Sequence, residues 1–123
     1  MTYDKFNDFC RSLPATAYVV QWGGSHVWRV GGKVFAIGGW EESDHPAFTF
    51  KASHLNYEIL KDQPGFRPAP YMASRGMKWI QNHRSESDSD EGLEYYLRES
   101  YRIVSSSLPK RAQRELGLSD SSR

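Results

Sequence analysis

His26-Val27-Trp28-Arg29-Val30-Gly31-Gly32-Lys33-Val34-Phe35-Ala36-Ile37-Gly38 is the stretch on which the fold turns. Two runs rich in Val, Ile, Phe and Trp flank a glycine pair, the pattern of a two-residue hairpin whose central residues need positive φ. Pairing Val30 with Lys33 fixes the register. It predicts His26, Trp28, Val30, Phe35 and Ile37 on one face and Val27, Arg29, Val34 and Ala36 on the other, the first face being the core side.

Working outward, Thr16 to Trp22 and Pro46 to Lys51 read as further strands of an antiparallel meander. Gly23-Gly24, Gly31-Gly32 and Gly38-Gly39 all lie between strands, so they serve turns and bulges; a phosphate-cradling loop would run from a strand into a helix N-terminus. Before the meander, Thr2 caps a helix whose apolar positions Tyr3, Phe6, Phe9, Cys10 and Leu13 recur at helical spacing until Pro14. After it, Ser53 caps a second helix carrying Leu55, Ile59 and Leu60, which Gln63-Pro64-Gly65 terminates. Met77 to Gln81 reads as one more strand. Leu93, Tyr96, Leu97, Ser100, Tyr101, Val104 and Leu108 mark one face of the longest helix, entered through the acidic run 85–94, which complements the helix dipole. Pro109 opens a short last helix closed by Gly117. The expectation is one domain over residues 1–117 and a flexible tail over 118–123.

Between Asp62 and Glu86 there is no acidic residue, while Arg67, Arg75, Lys78 and Arg84 alternate with Phe66, Tyr71 and Trp79. Prolines at 64, 68 and 70 hold the first half of this window extended or turn-like. Basic residues interleaved with aromatics are what a nucleic-acid surface needs, cations for phosphates and rings for bases. A solvated connection that merely lacks acids has the same composition.

Sixteen Lys and Arg against fifteen Asp and Glu leave a net charge of +1, so an anionic partner would have to be met by a local patch. The single cysteine excludes an intramolecular disulfide and a cysteine-built zinc site and suits a reducing compartment. Cys10 falls on an apolar helix stripe, the place of an inert thiol. No apolar run approaches a membrane span and no signal-peptide pattern opens the chain, so a cytoplasmic protein is expected. His26, His45, His54 and His83 fall on separate elements, and the i, i+4 pair His54 and Glu58 supplies only two ligands; no metal site and no cofactor is expected. No nucleophile has a visible base partner, and no catalytic residue is assigned.

Several short motifs, taken in order, resemble the MmcQ/YjbR-like family: Val30 to Ala36, Phe50-Lys51-Ala52-Ser53 at a strand-to-helix junction, Phe66-Arg67-Pro68-Ala69-Pro70-Tyr71-Met72, Lys78-Trp79 and Ser100-Tyr101. The resemblance spans Tyr3 to Leu116. It implies an α+β fold similar to frataxin and CyaY, a two-layer sandwich in which an antiparallel sheet of about five strands carries helices on one face. It also implies DNA binding, since members of that family are regarded as DNA-binding proteins acting through a double-wing surface. One departure stands out: where the family continues past the tryptophan with alternating apolar residues and an Asp-Gly turn, this chain has Gln81-Asn82-His83-Arg84, which predicts a less buried or differently shaped strand end.

The candidate nucleic-acid residues are therefore Lys51, Arg67, Tyr71, Arg75, Lys78, Trp79 and Arg84, the cations for phosphates and Tyr71 or Trp79 for stacking or for packing beneath the patch. The expected partner is DNA, bound weakly by a monomer with no membrane attachment and no enzymatic activity. The alternative is a non-catalytic interaction module that binds a protein partner or small ligand through Trp22, Trp40 and Tyr57.

Overall fold

The structure, a computed structural model, describes residues 1–39, 46–70, 76–84 and 90–118. The chain runs α1 (Tyr3–Ser12), β1 (Thr16–Gln21), β2 (Ser25–Val30), β3 (Lys33–Gly38), β4 (Phe48–Lys51), α2 (His54–Leu60), β5 (Phe66–Pro68), β6 (Trp79–Asn82), α3 (Asp90–Ser106) and α4 (Lys110–Glu115). The strands form one antiparallel sheet in the order β1-β2-β3-β4-β6-β5, with helices on one side, so the α+β two-layer sandwich is as the sequence implies. The described residues form six strands where about five were expected. Phe66–Pro68 pairs with β6 at the sheet margin, where a proline that cannot donate to a ladder is tolerated.

The glycine hairpin forms as read, with Gly31 and Gly32 at φ +59° and +80° and Val30 opposite Lys33. Two residues further on, the register slips: Trp28 pairs with Ala36 but Arg29 with Val34, leaving Phe35 as the extra residue of a β-bulge. The slip corrects the predicted faces. Phe35 and Ala36 both turn to the helix side and join Trp28, Val30, Phe48, Phe50, Phe66 and Ile80 in the core, whereas Ile37 moves to the opposite face beside Val27. Phe35 meets Tyr101 of α3 edge-on, at 5.4 Å between ring centroids.

The bulge ends the direct β3–β4 ladder at Ala36 and Phe50, and Ser100 continues it. From the buried face of α3, its hydroxyl donates to the Phe35 carbonyl at 2.7 Å and accepts from the Lys51 amide at 2.9 Å. A side chain from the helix layer thus occupies a rung of the sheet.

The helix termini follow the sequence signals. Thr2 and Ser53 accept from the amides of Lys5 and Asn56 as N-caps. At the other end of the chain, the Gly117 and Leu118 amides return to the carbonyls of Arg114 and Gln113, a Schellman closure with Gly117 at φ +76°. That closure buries Leu118 against the core, so the packed domain includes the first residue assigned to the tail. Residues 119–123 lie outside the described residues.

Leu55 and Ile59 are exposed and only Leu60 of α2 is buried, because this seven-residue helix touches the sheet margin at β5 and β6 through one side. One other reading changes: the end of β6 is not less buried, since Gln81 and Asn82 have essentially no exposure. Gln81 is tolerated there because its amide is hydrogen-bonded at both ends, whereas neither amide atom of Asn82 has a partner.

Candidate nucleic-acid interface

Strand alternation decides where the predicted cations lie. Lys51 is opposite Trp79, Thr49 opposite Gln81, and Gln81 opposite Arg67, so all five share the face turned away from the helix-side core. The middle of that face is closed: Val27, Ile37, Thr49 and Gln81 are fully buried. Lys51 is half-buried and Arg67 exposed, and they carry charge at the margin of this closed centre.

Arg67 is held in an unusual way. Its Nε and Nη2 donate to the Gln81 side-chain oxygen at 2.9 and 2.6 Å, and the Gln81 amide nitrogen donates to Thr49 Oγ1 at 3.2 Å. The chain Thr49–Gln81–Arg67 crosses three neighbouring strands. It orients a guanidinium with a neutral partner, so the positive charge is fixed in direction but not cancelled; among the described residues no carboxylate pairs with it. His83 registers the resulting field. Desolvation first, and then the charges of Arg67 and Arg84, hold its imidazole below the usual histidine value.

The remaining candidates separate. Lys78 leaves this face and sits over the Tyr57 ring of α2, 5.5 Å from its centroid. Trp79 is only 6% exposed, which leaves it packing beneath the patch rather than a free face for a base. Arg84 is exposed just past β6, on the same flank as His83. Tyr71 and Arg75 lie outside the described residues. The structure therefore places Lys51 and Arg67 on one face, with β6 between them, has Arg84 just past the strand end, and turns Lys78 elsewhere. The tether that fixes Arg67 could not be read from sequence, because Gln81 is fourteen residues away and looks like an ordinary polar strand residue.

The aromatic alternative is not one patch. Trp22 follows β1 at one margin of the sheet, while Tyr57 belongs to α2, which packs at the other. Trp40 is outside the described residues. A polar cluster that sequence reasoning did not assemble joins α1, β1 and β2. The Tyr18 hydroxyl and His26 Nδ1 share a hydrogen bond at 2.8 Å, and Trp28 Nε1 donates to Asn7 Oδ1 at 2.9 Å. A cleft of about 270 Å³ between α3 and α4 is lined by Arg98, Tyr101, Arg102, Gln113 and Leu118, with Arg102 paired to Glu99 at 2.9 Å.

For the remaining chemistry, burial pushes the Cys10 thiol far above its usual range, so it does not form the thiolate a nucleophile needs. Glu58 is engaged by Lys61 at 2.9 Å. Among the described residues no three His, Cys, Asp or Glu side chains gather as metal ligands, and no helix is long and apolar enough to cross a membrane.

Comparison with known proteins places this geometry in a family. The crystal structure of Deinococcus radiodurans protein DR2400, of the DUF419 domain family, superposes with a TM-score of 0.82 at 22% identity, covering 95% of this chain and 88% of that one. This likeness concerns the fold. No curated protein matches. The sequence model of the YjbR family matches residues 11–103, which takes in the glycine hairpin, the Arg67 strand and most of α3. By that match, the chain belongs to the YjbR family.

Proposed function

We propose that this protein binds DNA without catalysing a reaction on it, weakly and through the phosphate backbone, with Arg67 and Lys51 as the contacts on the sheet face and Arg84 beside them. The single observation that carries the reading is the guanidinium of Arg67 held by the neutral Gln81 amide, with no carboxylate among the described residues paired to it. A carboxylate partner would orient an arginine equally well but would cancel its attraction for an anion. Cations of this kind position a protein on a duplex and carry no base readout, in keeping with the buried ring of Trp79.

The test is a fluorescence-anisotropy titration of labelled duplex and single-stranded DNA across salt concentrations, with an unrelated acidic polymer as competitor. Two to three phosphate contacts give a slope of log affinity against log salt of about −2 to −3, from about 0.9 per contact. Combined charge reversal, Lys51→Glu with Arg67→Glu, removes binding, whereas Lys78→Glu, turned toward Tyr57, leaves most of it. Absence of low-salt binding in the parent, or an unchanged affinity in the double variant, overturns the reading. Equal affinity for the acidic polymer reduces it to general polyanion binding.

A further inference from the structure

We infer that β1 is the docking edge for a second copy of this chain, joined antiparallel across a two-fold axis so that the sheet runs on from one copy into the other. Among the described residues β1 is an outer strand, paired on one side by β2 and on the other by nothing. Edge strands are ordinarily guarded by charge, proline or a bulge. β1 has none of these: no Asp, Glu, Lys or Arg occurs between Arg11 and Arg29, and the β1–β2 register is regular from Thr16 to Gln21. Its large side chains are nonetheless open to solvent, with Tyr18 at 41%, Val19 at 39%, Val20 at 53% and the following Trp22 at 46% exposure.

Two features show an edge prepared for contact. The Tyr18 ring is fixed by its hydrogen bond to His26 and by the Trp28 ring 5.0 Å away, and Trp22 lies under the Arg29 guanidinium at 5.7 Å. Aromatics already held in place cost little entropy to dock. Ala15 and Trp22, at φ +61° and +53°, are the non-glycine residues of positive φ among the described residues, and they bracket β1. For a bulky side chain that backbone costs about 1 kcal/mol or more, and such strain gathers where a segment is held for a contact.

A second copy is the occupant because of what symmetry demands. Antiparallel self-pairing sets each residue near its own chemistry, which a charged strand cannot bear and an uncharged Val- and Tyr-bearing strand can. Keeping both helix layers on one side of the joined sheet requires residues of the same face to meet. Centring the axis on Val19 satisfies this: Val19 faces its own copy, Tyr18 faces Val20, and Ala17 faces Gln21. A six-residue junction is small against the ~1,200 Å² or more of stable interfaces, so the dimer is a reversible one formed at high concentration.

Sedimentation velocity from micromolar to millimolar protein tests this. The parent shows a sedimentation coefficient that rises with concentration. Val19→Lys sets lysine against lysine on the axis and weakens association by about fivefold or more. Mixing the Val19→Lys and Val19→Glu chains restores it. Thermal unfolding checks that each variant is folded, and Val20→Lys, which faces Tyr18 of the other copy and not a second lysine, weakens association less than Val19→Lys. A parent that stays monomeric across the range, or a Val19→Lys chain that associates like the parent, overturns the proposal. So does failure of the mixed charge pair to restore a dimer that each single charge has broken.

Discussion

Ser100→Ala removes one oxygen atom that links two layers of the molecule. The hydroxyl is fully buried and serves two backbone groups at once, accepting from Lys51 N–H and donating to Phe35 C=O. In the alanine variant both groups remain buried without a partner, and each such loss costs about 1–3 kcal/mol. The strands cannot close the gap by pairing directly, because the extra residue of the bulge holds Phe35 out of register with β4. The expected destabilisation is about 2–6 kcal/mol, and for a domain of this size the melting temperature falls by roughly 10 °C or more. Urea unfolding followed by tryptophan fluorescence measures it, with an unchanged slope against denaturant as the sign that the unfolded state is unaffected. Ser105→Ala is the control, since that hydroxyl is solvent-exposed and bonds only the Arg102 carbonyl in its own helix. If Ser100→Ala costs no more than the control, within about 0.5 kcal/mol, the serine is not a rung of the sheet.

The hairpin glycines give a paired test, because both have positive φ but different surroundings. A Cβ at Gly31 would lie 2.5 Å from Leu108 Cδ1, while one at Gly32 would meet nothing within 4 Å. Gly32→Ala should cost about 1 kcal/mol of left-handed strain, and Gly31→Ala, which must also displace buried Leu108, about 2–3 kcal/mol; equal losses in chemical denaturation would contradict the packing of that turn. For His83, the folded imidazole titrates below its unfolded value of about 6.5. In the window between the two values the unfolded chain binds more protons, so stability rises with pH there and falls on acidification. Arg67→Gln narrows that window, and DNA bound at Arg67 draws the His83 titration upward in an NMR experiment. A His83 midpoint insensitive to both would place the histidine outside the field of this patch.

Much of the fold is legible in local sequence. Gly31-Gly32, the caps Thr2 and Ser53, and Gly117 each impose a backbone geometry that no neighbour can change, and the structure follows them. The bulge is different. Phe35 carries no glycine or proline to announce an inserted residue, and the slip arises where the sheet meets Tyr101 and Ser100 of a helix more than sixty positions away. Strict alternation therefore misplaced Ala36 and Ile37. β5 was hidden by Pro68, which is excluded from central strands but free to occupy a margin. Arg67 and Lys51 were singled out by charge, and their common face then followed from strand pairing.

An arginine steered by a carboxylate depends on ionic strength twice, once for its grip on a ligand and once for its own orientation, because salt loosens the guiding ion pair as well. Arg67 is steered by an amide buried beneath it. Its aim is thus independent of ionic strength, and salt acts only on the attraction between the guanidinium and whatever anion arrives. A site of this construction stays equally well formed in dilute and concentrated electrolyte, and a logarithmic plot of affinity against salt remains straight over the whole range.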